Sequence, residues 1–174
     1  MKTFSIIIPV YNGQDVIGQA LDSIYSQGLA EETFEVICVD DCSPTIYTYI
    51  FLNNYTFNGV HPQNLKIVRH EVNKRQGGAR NTALSYAEGE WILYLDQDDC
   101  FVNNSLSKLI NKLENYSHCD VVMFDYCLLN TTHKKEVLHG NIVQNHQKLS
   151  NLNPQILHQN ISFSLKIVML MTLF

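Results

Sequence analysis

Short runs rich in β-branched and aromatic residues alternate along the chain with stretches in which apolar residues recur at helical spacing. This alternation predicts parallel strands joined by crossover helices, because parallel neighbours cannot be connected by a tight turn. Five strands are predicted, at Phe4 to Val10, Phe34 to Val39, Leu65 to Arg69, Trp91 to Leu95 and Val121 to Tyr126.

Four helices are predicted in the connections between these strands. In the first connection, apolar residues between Val16 and Tyr25 recur at helical spacing, and Gly28 follows as a helix stop. The other three helices are predicted at Ile46 to Asn53, at Ala79 to Ala87 behind Gly77 and Gly78, and at Asn104 to Asn115.

The pattern weakens beyond residue 130, where Asn, Gln, His and Thr dominate and Pro154 acts as a breaker. The apolar segment Ile161 to Phe174 is interrupted by Lys166 and is shorter than the roughly 20 residues that cross a bilayer, so no transmembrane segment is expected. No partner element follows this segment. We expect the tail to be either a loop or a truncated or misread end.

The chain has 174 residues, a net charge of -5 and no run of basic residues. One sizeable domain is expected from the length, and no nucleic-acid partner is expected, since backbone-binding proteins cluster Lys and Arg. The five cysteines contain no C-x-x-C pair, which favours reduced thiols in a cytoplasmic protein over a disulfide framework or a zinc site. The seven histidines show no metal-ligand spacing and are interpreted as surface or structural residues.

Polar clusters follow three of the predicted strands, at Pro9 to Asn12, Asp40 to Ser43 and Asp96 to Asp99. In open parallel sheets, ligands bind outside the carboxyl ends of the strands where the strand order reverses. If the first strand lies between the second and the fourth, all three clusters converge on one crevice.

The last of these clusters packs Asp96, Asp98 and Asp99 into four residues. Three carboxylates this close repel one another unless a cation or a hydrogen-bonding ligand lies between them, so the cluster is typical of a hard-metal site. A helix N-terminus also favours acidic residues, but one Asp would serve that purpose and three are not needed.

The other polar residues are less specific when taken singly. Asp40 to Pro44 alone is more typical of a turn that leads into a helix. Arg75 and Arg80 carry forked donors that suit a diphosphate. Neither a G-x-G-x-x-G fingerprint nor a G-K-[ST] loop is present, which argues against dinucleotide-binding and P-loop proteins.

Five segments taken in chain order resemble the motifs of family 2 glycosyltransferases, and they are Ser5 to Asn12, Val39 to Ser43, Gly78 to Asn81, Glu88 to Ile92 and Leu95 to Asp99. The resemblance implies the GT-A fold, an α/β fold with a Rossmann-like, mostly parallel sheet flanked by helices. It also implies a nucleotide-diphosphate-sugar donor, most commonly a UDP-sugar, and a divalent metal, Mn2+ or Mg2+.

The resemblance assigns roles to eight residues. Those expected to bind the nucleotide-sugar are Pro9, Tyr11, Asn12, Asp41, Arg80, Asp96 and Asp98. Among them Asp41 is expected to pair with the base and Arg80 to lie near the diphosphate. Asp98 and Asp99 are the expected metal ligands in the D-x-D-type motif. Cys42 departs from the family pattern, in which glycine is usual after the two acids.

The resemblance implies a metal-dependent, inverting transfer of a sugar to a saccharide or lipid-linked acceptor in surface polysaccharide synthesis, in the cytoplasm or at the inner face of the membrane as a peripheral protein. The family's catalytic base is an acid downstream of the D-x-D motif. Sixteen of the 17 acidic residues lie at or before Asp125, and Glu136 alone follows, in a Lys-rich stretch typical of a solvated charge. No catalytic residue is therefore assigned.

We expect residues 1–130 to form a nucleotide-sugar-binding glycosyltransferase domain and residues 131–174 an incomplete or aberrant acceptor-side tail. Two alternatives stay open. One is a truncated, non-catalytic nucleotide-sugar-binding module. The other is a receiver-type signalling domain with an acidic Mg2+ pocket, which is weakened because the third strand ends in Arg69 and His70 rather than in a phosphoacceptor Asp.

Overall fold

The computed structural model describes residues 2–113, residue 115 and two strand segments at 121–124 and 166–170. Its strands form one sheet in the order β3-β2-β1-β4-β6-β5. Every neighbouring pair in this sheet is parallel. The strands are β1 Phe4–Val10, β2 Phe34–Asp40, β3 Leu65–Arg69, β4 Trp91–Tyr94, β5 Val121–Phe124 and β6 Lys166–Leu170.

Four helices lie in the described part of the chain, and they are α1 Ile17–Tyr25, α2 Tyr47–Asn54, α3 Arg75–Leu84 and α4 Ser105–Leu113. A short 3-10 turn at Glu31–Thr33 precedes β2. None of these helices has the length and apolar character that a bilayer crossing requires.

The sheet is covered on both faces, and the alternation of side chains along each strand decides which helix covers which face. Ile6, Ile8 and Cys38 pack in one core cluster with apolar residues of α1, α2 and α4. Ile7 and Ile37 point the other way and pack against α3. β1 and β2 are therefore buried along their whole length.

The predicted strands β1 to β5 and helices α1, α2 and α4 are confirmed, with ends that shift by at most two residues. Residues 125–126, the predicted end of β5, lie outside the described residues. The prediction for α3 was wrong at its start, because the helix begins at Arg75 and contains Gly77 and Gly78. Only Ala79 and Ala83 of this helix are buried, so its first turn carries no apolar signal.

The second correction concerns the tail, for which no strand was predicted. Lys166–Leu170 forms β6 and lies between β4 and β5. Parallel strands commonly read as continuous apolar runs without polar alternation, so a period-two pattern does not identify this strand. The division of the chain at residue 130 stays a prediction.

A buried carboxylate joins four segments at the amino ends of the strands. The Glu35 side chain is fully buried and forms ion pairs with Lys2 at 3.2 Å and Lys66 at 2.9 Å. It also accepts hydrogen bonds from Ser5 Oγ and from the backbone N–H of Glu88, both at 2.6 Å. The network ties β1, β2 and β3 to the segment that leads into β4.

The Glu88 to Glu90 motif therefore has a structural role at this edge. Gly89 donates its N–H to Ser5 Oγ at 2.8 Å. A Cβ at Gly89 would overlap the backbone of Phe4 and Ser5, so the close approach of the two segments requires glycine.

Burial alone would raise the pKa of Glu35, but hydrogen bonds from Ser5, Lys66, Glu88 and Lys2 outweigh burial and hold this pKa below the usual 4.5. A carboxyl whose pKa is lower in the folded state stabilises the fold above its unfolded pKa. That stabilisation is lost as the pH falls through the folded pKa.

We predict that Glu35→Gln lowers the free energy of unfolding by about 2 kcal/mol or more at neutral pH, since it removes the buried counter-ion of two ammonium groups and leaves them only the exposed carboxylate of Glu88. Urea unfolding of both proteins across the acid range measures the difference. The difference in the free energy of unfolding should have its full size at pH values well above 4.5, and it should shrink as the pH falls below 4.5. A constant difference down to strongly acidic pH would contradict the assigned role of Glu35.

Candidate functional site

The carboxyl ends of β1, β2 and β4 open onto one crevice with a volume of about 210 Å³. β1 lies between β2 and β4, as the convergence of the polar clusters required. The crevice is lined by Pro9, Val10, Tyr11, Asp41, Gln76, Asp96, Gln97 and Asp98. Five of the eight predicted site residues are in this set, and the other three are Asn12, Arg80 and Asp99.

Asp40 and Asp41 are adjacent in sequence but have different surroundings. Asp40 is fully buried at the end of β2, where it pairs with Arg69 of β3. It also accepts hydrogen bonds from the hydroxyl and the backbone N–H of Ser43. The same hydroxyl accepts the backbone N–H of Asn12 at 2.8 Å. Asp40 therefore fixes the turns after β1 and β2 and does not face the crevice.

Asp41 lines the crevice with only 3% of its surface exposed. Its Oδ1 accepts hydrogen bonds from His70 Nδ1 at 2.6 Å and from the backbone N–H of Lys74 at 2.8 Å. Both hydrogen bonds found for its carboxylate in the described part of the chain are on Oδ1. Asp41 thus presents a fixed acceptor oxygen.

The backbone at Cys42 explains why glycine is usual at this position. Its φ is 59°, in the left-handed region that glycine adopts at little cost. The Cys42 thiol donates to the carbonyl of Glu71 at 3.3 Å and does not line the crevice. The departure from the family pattern therefore leaves the lining of the crevice unchanged.

Two side chains of α3 hold Asp96 in place. Arg80 Nη2 donates to Asp96 Oδ1 at 2.7 Å, and Gln76 Nε2 donates to the same oxygen at 2.9 Å. The Arg80 guanidinium also stacks over the ring of Tyr94, 5.2 Å from its centroid. Arg80 Nε is buried and has no hydrogen-bond partner within the described residues.

Asp98 is exposed at the crevice, and Asp99 follows it in a turn. Burial raises the pKa of Asp99, and the neighbouring Asp96 and Asp98 raise it further. In the described ranges, no three His, Cys, Asp or Glu side chains are grouped as a complete metal cage. Mg2+ rarely uses such a cage, since one or two carboxylates, water and substrate phosphates suffice. Asp98 and Asp99 could therefore hold a cation whose other ligands are diphosphate oxygens and water.

Gln97 was not recognised from the sequence, where it resembles a spacer between acids. Its Oε1 accepts the N–H of Tyr11 at 2.9 Å, and its Nε2 donates to the Tyr11 carbonyl at 3.2 Å. The amide thereby extends the pairing of β1 and β4 past the strand ends and holds Tyr11 beside the acidic residues. His70 was also missed as a site residue, because only the fold brings it to Asp41.

The C-terminal half of α1 anchors the segment that follows the acidic cluster. Ser23 Oγ accepts the N–H of Phe101 at 3.0 Å, and Gln27 Nε2 donates to the carbonyl of Val102 at 3.1 Å. Gln27 Oε1 also accepts the N–H of Leu106 in the first turn of α4. The loop that carries Asp98 and Asp99 is therefore held at its C-terminal end.

We predict that Gly13→Ala lowers the free energy of unfolding by about 1–2 kcal/mol, because the added Cβ would lie 2.5 Å from Gln97 Oε1 and displace the amide from Tyr11. In a Gln97→Ala background the same change should cost less, since the nearer clashing group is gone and only Val10 Cγ1, at 2.9 Å, remains. Chemical denaturation of both single variants and the double variant measures this coupling.

Gly77→Ala is the matched control, because a Cβ there meets no atom within 4 Å and alanine favours the helix. It should leave stability unchanged or raise it. Additive costs for Gly13→Ala and Gln97→Ala would show that the amide does not depend on Gly13.

Comparisons with known proteins were made for the whole chain. A sequence model described as Glycosyl transferase family 2 matches residues 5–169. A poly(ribitol-phosphate) beta-glucosyltransferase of Bacillus spizizenii is 40% identical over 108 residues, which cover 62% of this chain and 16% of that protein. The poly(ribitol-phosphate) beta-N-acetylglucosaminyltransferase TarS of Staphylococcus aureus is 36% identical over 124 residues, which cover 71% of this chain and 21% of TarS.

Solved structures of S. aureus TarS 1-349 are also similar. The complex with UDP-GlcNAc superposes with a TM-score of 0.61 at 34% identity, over 75% of this chain and 36% of that chain. The complex with UDP gives a TM-score of 0.60 at the same identity. The chain thus spans 16–21% of the length of the first two relatives. The predicted GT-A fold is confirmed.

Proposed function

The chain belongs to glycosyl transferase family 2, and we propose that its crevice binds a UDP-sugar and a divalent metal for inverting transfer of the sugar to a saccharide or lipid-linked acceptor. The observation that carries this proposal is the convergence of Tyr11, Asp41, Asp96 and Asp98 on one crevice at the carboxyl ends of the strands. The solved complexes of TarS with UDP and UDP-GlcNAc support the donor class.

The nucleoside is proposed to bind between β1 and β2. Tyr11 is 47% exposed at the end of β1 and, with Pro9, offers an apolar wall to the base. Asp41 Oδ2 offers an acceptor, which requires an N–H on the edge of the base. Uracil meets this requirement with N3–H, and Asn12 is held next to the same wall through Ser43.

The ribose and diphosphate are proposed to lie towards the acidic cluster. Asp96 cannot rotate freely, because Arg80 and Gln76 hold its Oδ1, so its second oxygen suits a ribose hydroxyl. Asp98 and Asp99 are the proposed ligands of Mn2+ or Mg2+. When bound, such a cation stabilises the negative charge that builds on a departing diphosphate. Arg80 contributes a second positive charge beside the cluster.

Inversion at the sugar carbon also requires a general base for the acceptor hydroxyl. Of the described residues, the carboxylates that line the crevice are Asp41, Asp96 and Asp98, and each already has a role towards the donor. The acids that follow the cluster, Glu114, Asp120, Asp125 and Glu136, lie outside the described residues. We leave the catalytic base unassigned.

The names of the relatives suggest a class of acceptor. Two of them are named as poly(ribitol-phosphate) glycosyltransferases, and another is the minor teichoic acid biosynthesis protein GgaA of Bacillus subtilis. We propose an acceptor of the surface-polysaccharide class, reached at the inner face of the membrane by peripheral association.

A second candidate is a module that binds the nucleotide-sugar without transferring it. This candidate is favoured because Asp41, Asp96 and Asp98, the described carboxylates at the crevice, are all proposed to bind the donor, which leaves none of them as a base. Its signature is donor binding with neither transfer nor hydrolysis. The receiver-type alternative is not supported, since the order β3-β2-β1-β4 differs from the 2-1-3-4-5 order of receiver domains.

We predict that calorimetric titration with UDP, GDP, CDP and dTDP will show tightest binding of UDP, strengthened by Mn2+ and weakened by chelator. Asp98→Ala should abolish the gain from Mn2+ without lowering the melting temperature, because it removes one charge from a repulsive cluster. Glu32→Ala is the matched control, since Glu32 is exposed before β2 at the opposite edge of the sheet.

Unchanged UDP affinity of Asp98→Ala in Mn2+ would remove the metal assignment but leave the nucleotide site. Failure of the unsubstituted chain to bind any of the four nucleotides would overturn the proposed function as a whole.

A separate prediction concerns the base. Asp41→Asn keeps an acceptor at Oδ1 for His70 and Lys74 but places a donor where Oδ2 faces the crevice. The N3–H of uracil would then meet an N–H, so the preference for UDP over CDP should fall by about tenfold or more. Competition titrations without metal measure the preference, and an unaltered order among UDP, GDP and CDP would show that Asp41 does not recognise the base.

A further inference from the structure

His70 links the base-recognising carboxylate to a helix on the far side of the crevice. It follows β3, is 6% exposed, and lies between Asp41 and Thr82 of α3. Nδ1 is 2.6 Å from Asp41 Oδ1, and Nε2 is 2.8 Å from Thr82 Oγ1. Both ring nitrogens therefore have a partner, and the ring cannot turn without breaking one of the two contacts.

The chemistry of these partners fixes the direction of the first hydrogen bond. An ionised carboxylate only accepts, so Nδ1 carries the proton and donates to Asp41. The Lys74 N–H reaches the same Oδ1. Two donors on one oxygen prevent the carboxylate from rotating. Oδ2 is the oxygen left for a ligand.

We propose that His70 is a specificity-determining positioning residue, which selects the nucleotide base by fixing Asp41 and does not touch the nucleotide itself. With Asp41 fixed, its Oδ2 offers an acceptor to the base. A base edge with an N–H, such as uracil N3–H, is accepted, whereas the unprotonated N3 of cytosine is opposed. The inference rests on the proposed function, because it concerns how that site distinguishes its donors.

Thr82 makes this selection depend on the position of α3. The helix contacts Asp41 through His70 and through the Lys74 N–H at its start. Arg80, in the same helix, holds Asp96 at the other end of the crevice. One rigid element therefore sets the distance between the base-recognising oxygen and the acidic cluster. Selectivity should fall when the link between His70 and Thr82 is cut.

A purely structural role for His70 would predict lower stability with unchanged selectivity. Two substitutions separate these roles. His70→Leu removes the donor to Asp41 and the contact with Thr82. His70→Asn loses Thr82 as well but keeps an N–H near the position of Nδ1. Both variants should lose stability, and the leucine variant should lose more selectivity than the asparagine variant, because the asparagine loses only the link to Thr82.

The experiment is competition calorimetry of the full chain with UDP and CDP, beside chemical denaturation of each variant. The ratio of UDP to CDP affinity should fall about tenfold in His70→Leu, which is the worth of one hydrogen bond to a charged group. In His70→Asn it should fall only about threefold, the loss expected from the link to Thr82 alone.

Thr82→Val and Thr82→Ser form a second pair in case His70→Leu does not fold. The valine has nearly the same shape as threonine but no hydroxyl, so the ratio should fall about threefold, whereas the serine should preserve it. An unchanged ratio in every variant that folds, or an equal fall in His70→Leu and His70→Asn, would overturn the inference. UDP binding by the unsubstituted chain would then still support the proposed function, and loss of that binding would overturn both.

Discussion

The alternation of side chains at the end of β2 is the constraint on which the site depends. Asp40 and Asp41 are successive residues, and the pleat sends them to opposite faces of the sheet. Asp40 is buried with Arg69, where an unpaired charge would be very costly. Asp41 faces α3 and the crevice and receives two donors on one oxygen. One acid therefore holds the loops together, and the next is free to serve a ligand.

The amino edge of the sheet contributes to stability, whereas the carboxyl edge carries the candidate site. At the amino edge, the Glu35 carboxylate is paired with Lys2 and Lys66, and its hydrogen bonds lower its pKa. At the carboxyl edge, Asp99 has a raised pKa because burial and two neighbouring carboxylates oppose its ionisation. A bound cation would relieve this opposition. Binding sites commonly keep such unfavourable contacts, and the rest of the fold supplies the stability that offsets them.

Helix α3 is the element that unites the site. Its buried face consists of Ala79 and Ala83, so the helix can approach the sheet closely. From that position it reaches Asp41 through His70 and reaches Asp96 through Arg80. The two poly(ribitol-phosphate) glycosyltransferases that resemble this chain are several times longer, and only their matched part corresponds to this arrangement.

Local patterns in the sequence were enough to predict the strands β1 to β4, because apolar periodicity and flanking turn residues are local properties. They also predicted that the polar clusters meet, since carboxyl ends of parallel strands share one edge. The position of β6 between β4 and β5, the start of α3 at Arg75 and the contact of Gln97 with Tyr11 became evident only in the fold. These features depend on pairings between residues far apart in the chain, and no local pattern of apolar and polar residues encodes such partners.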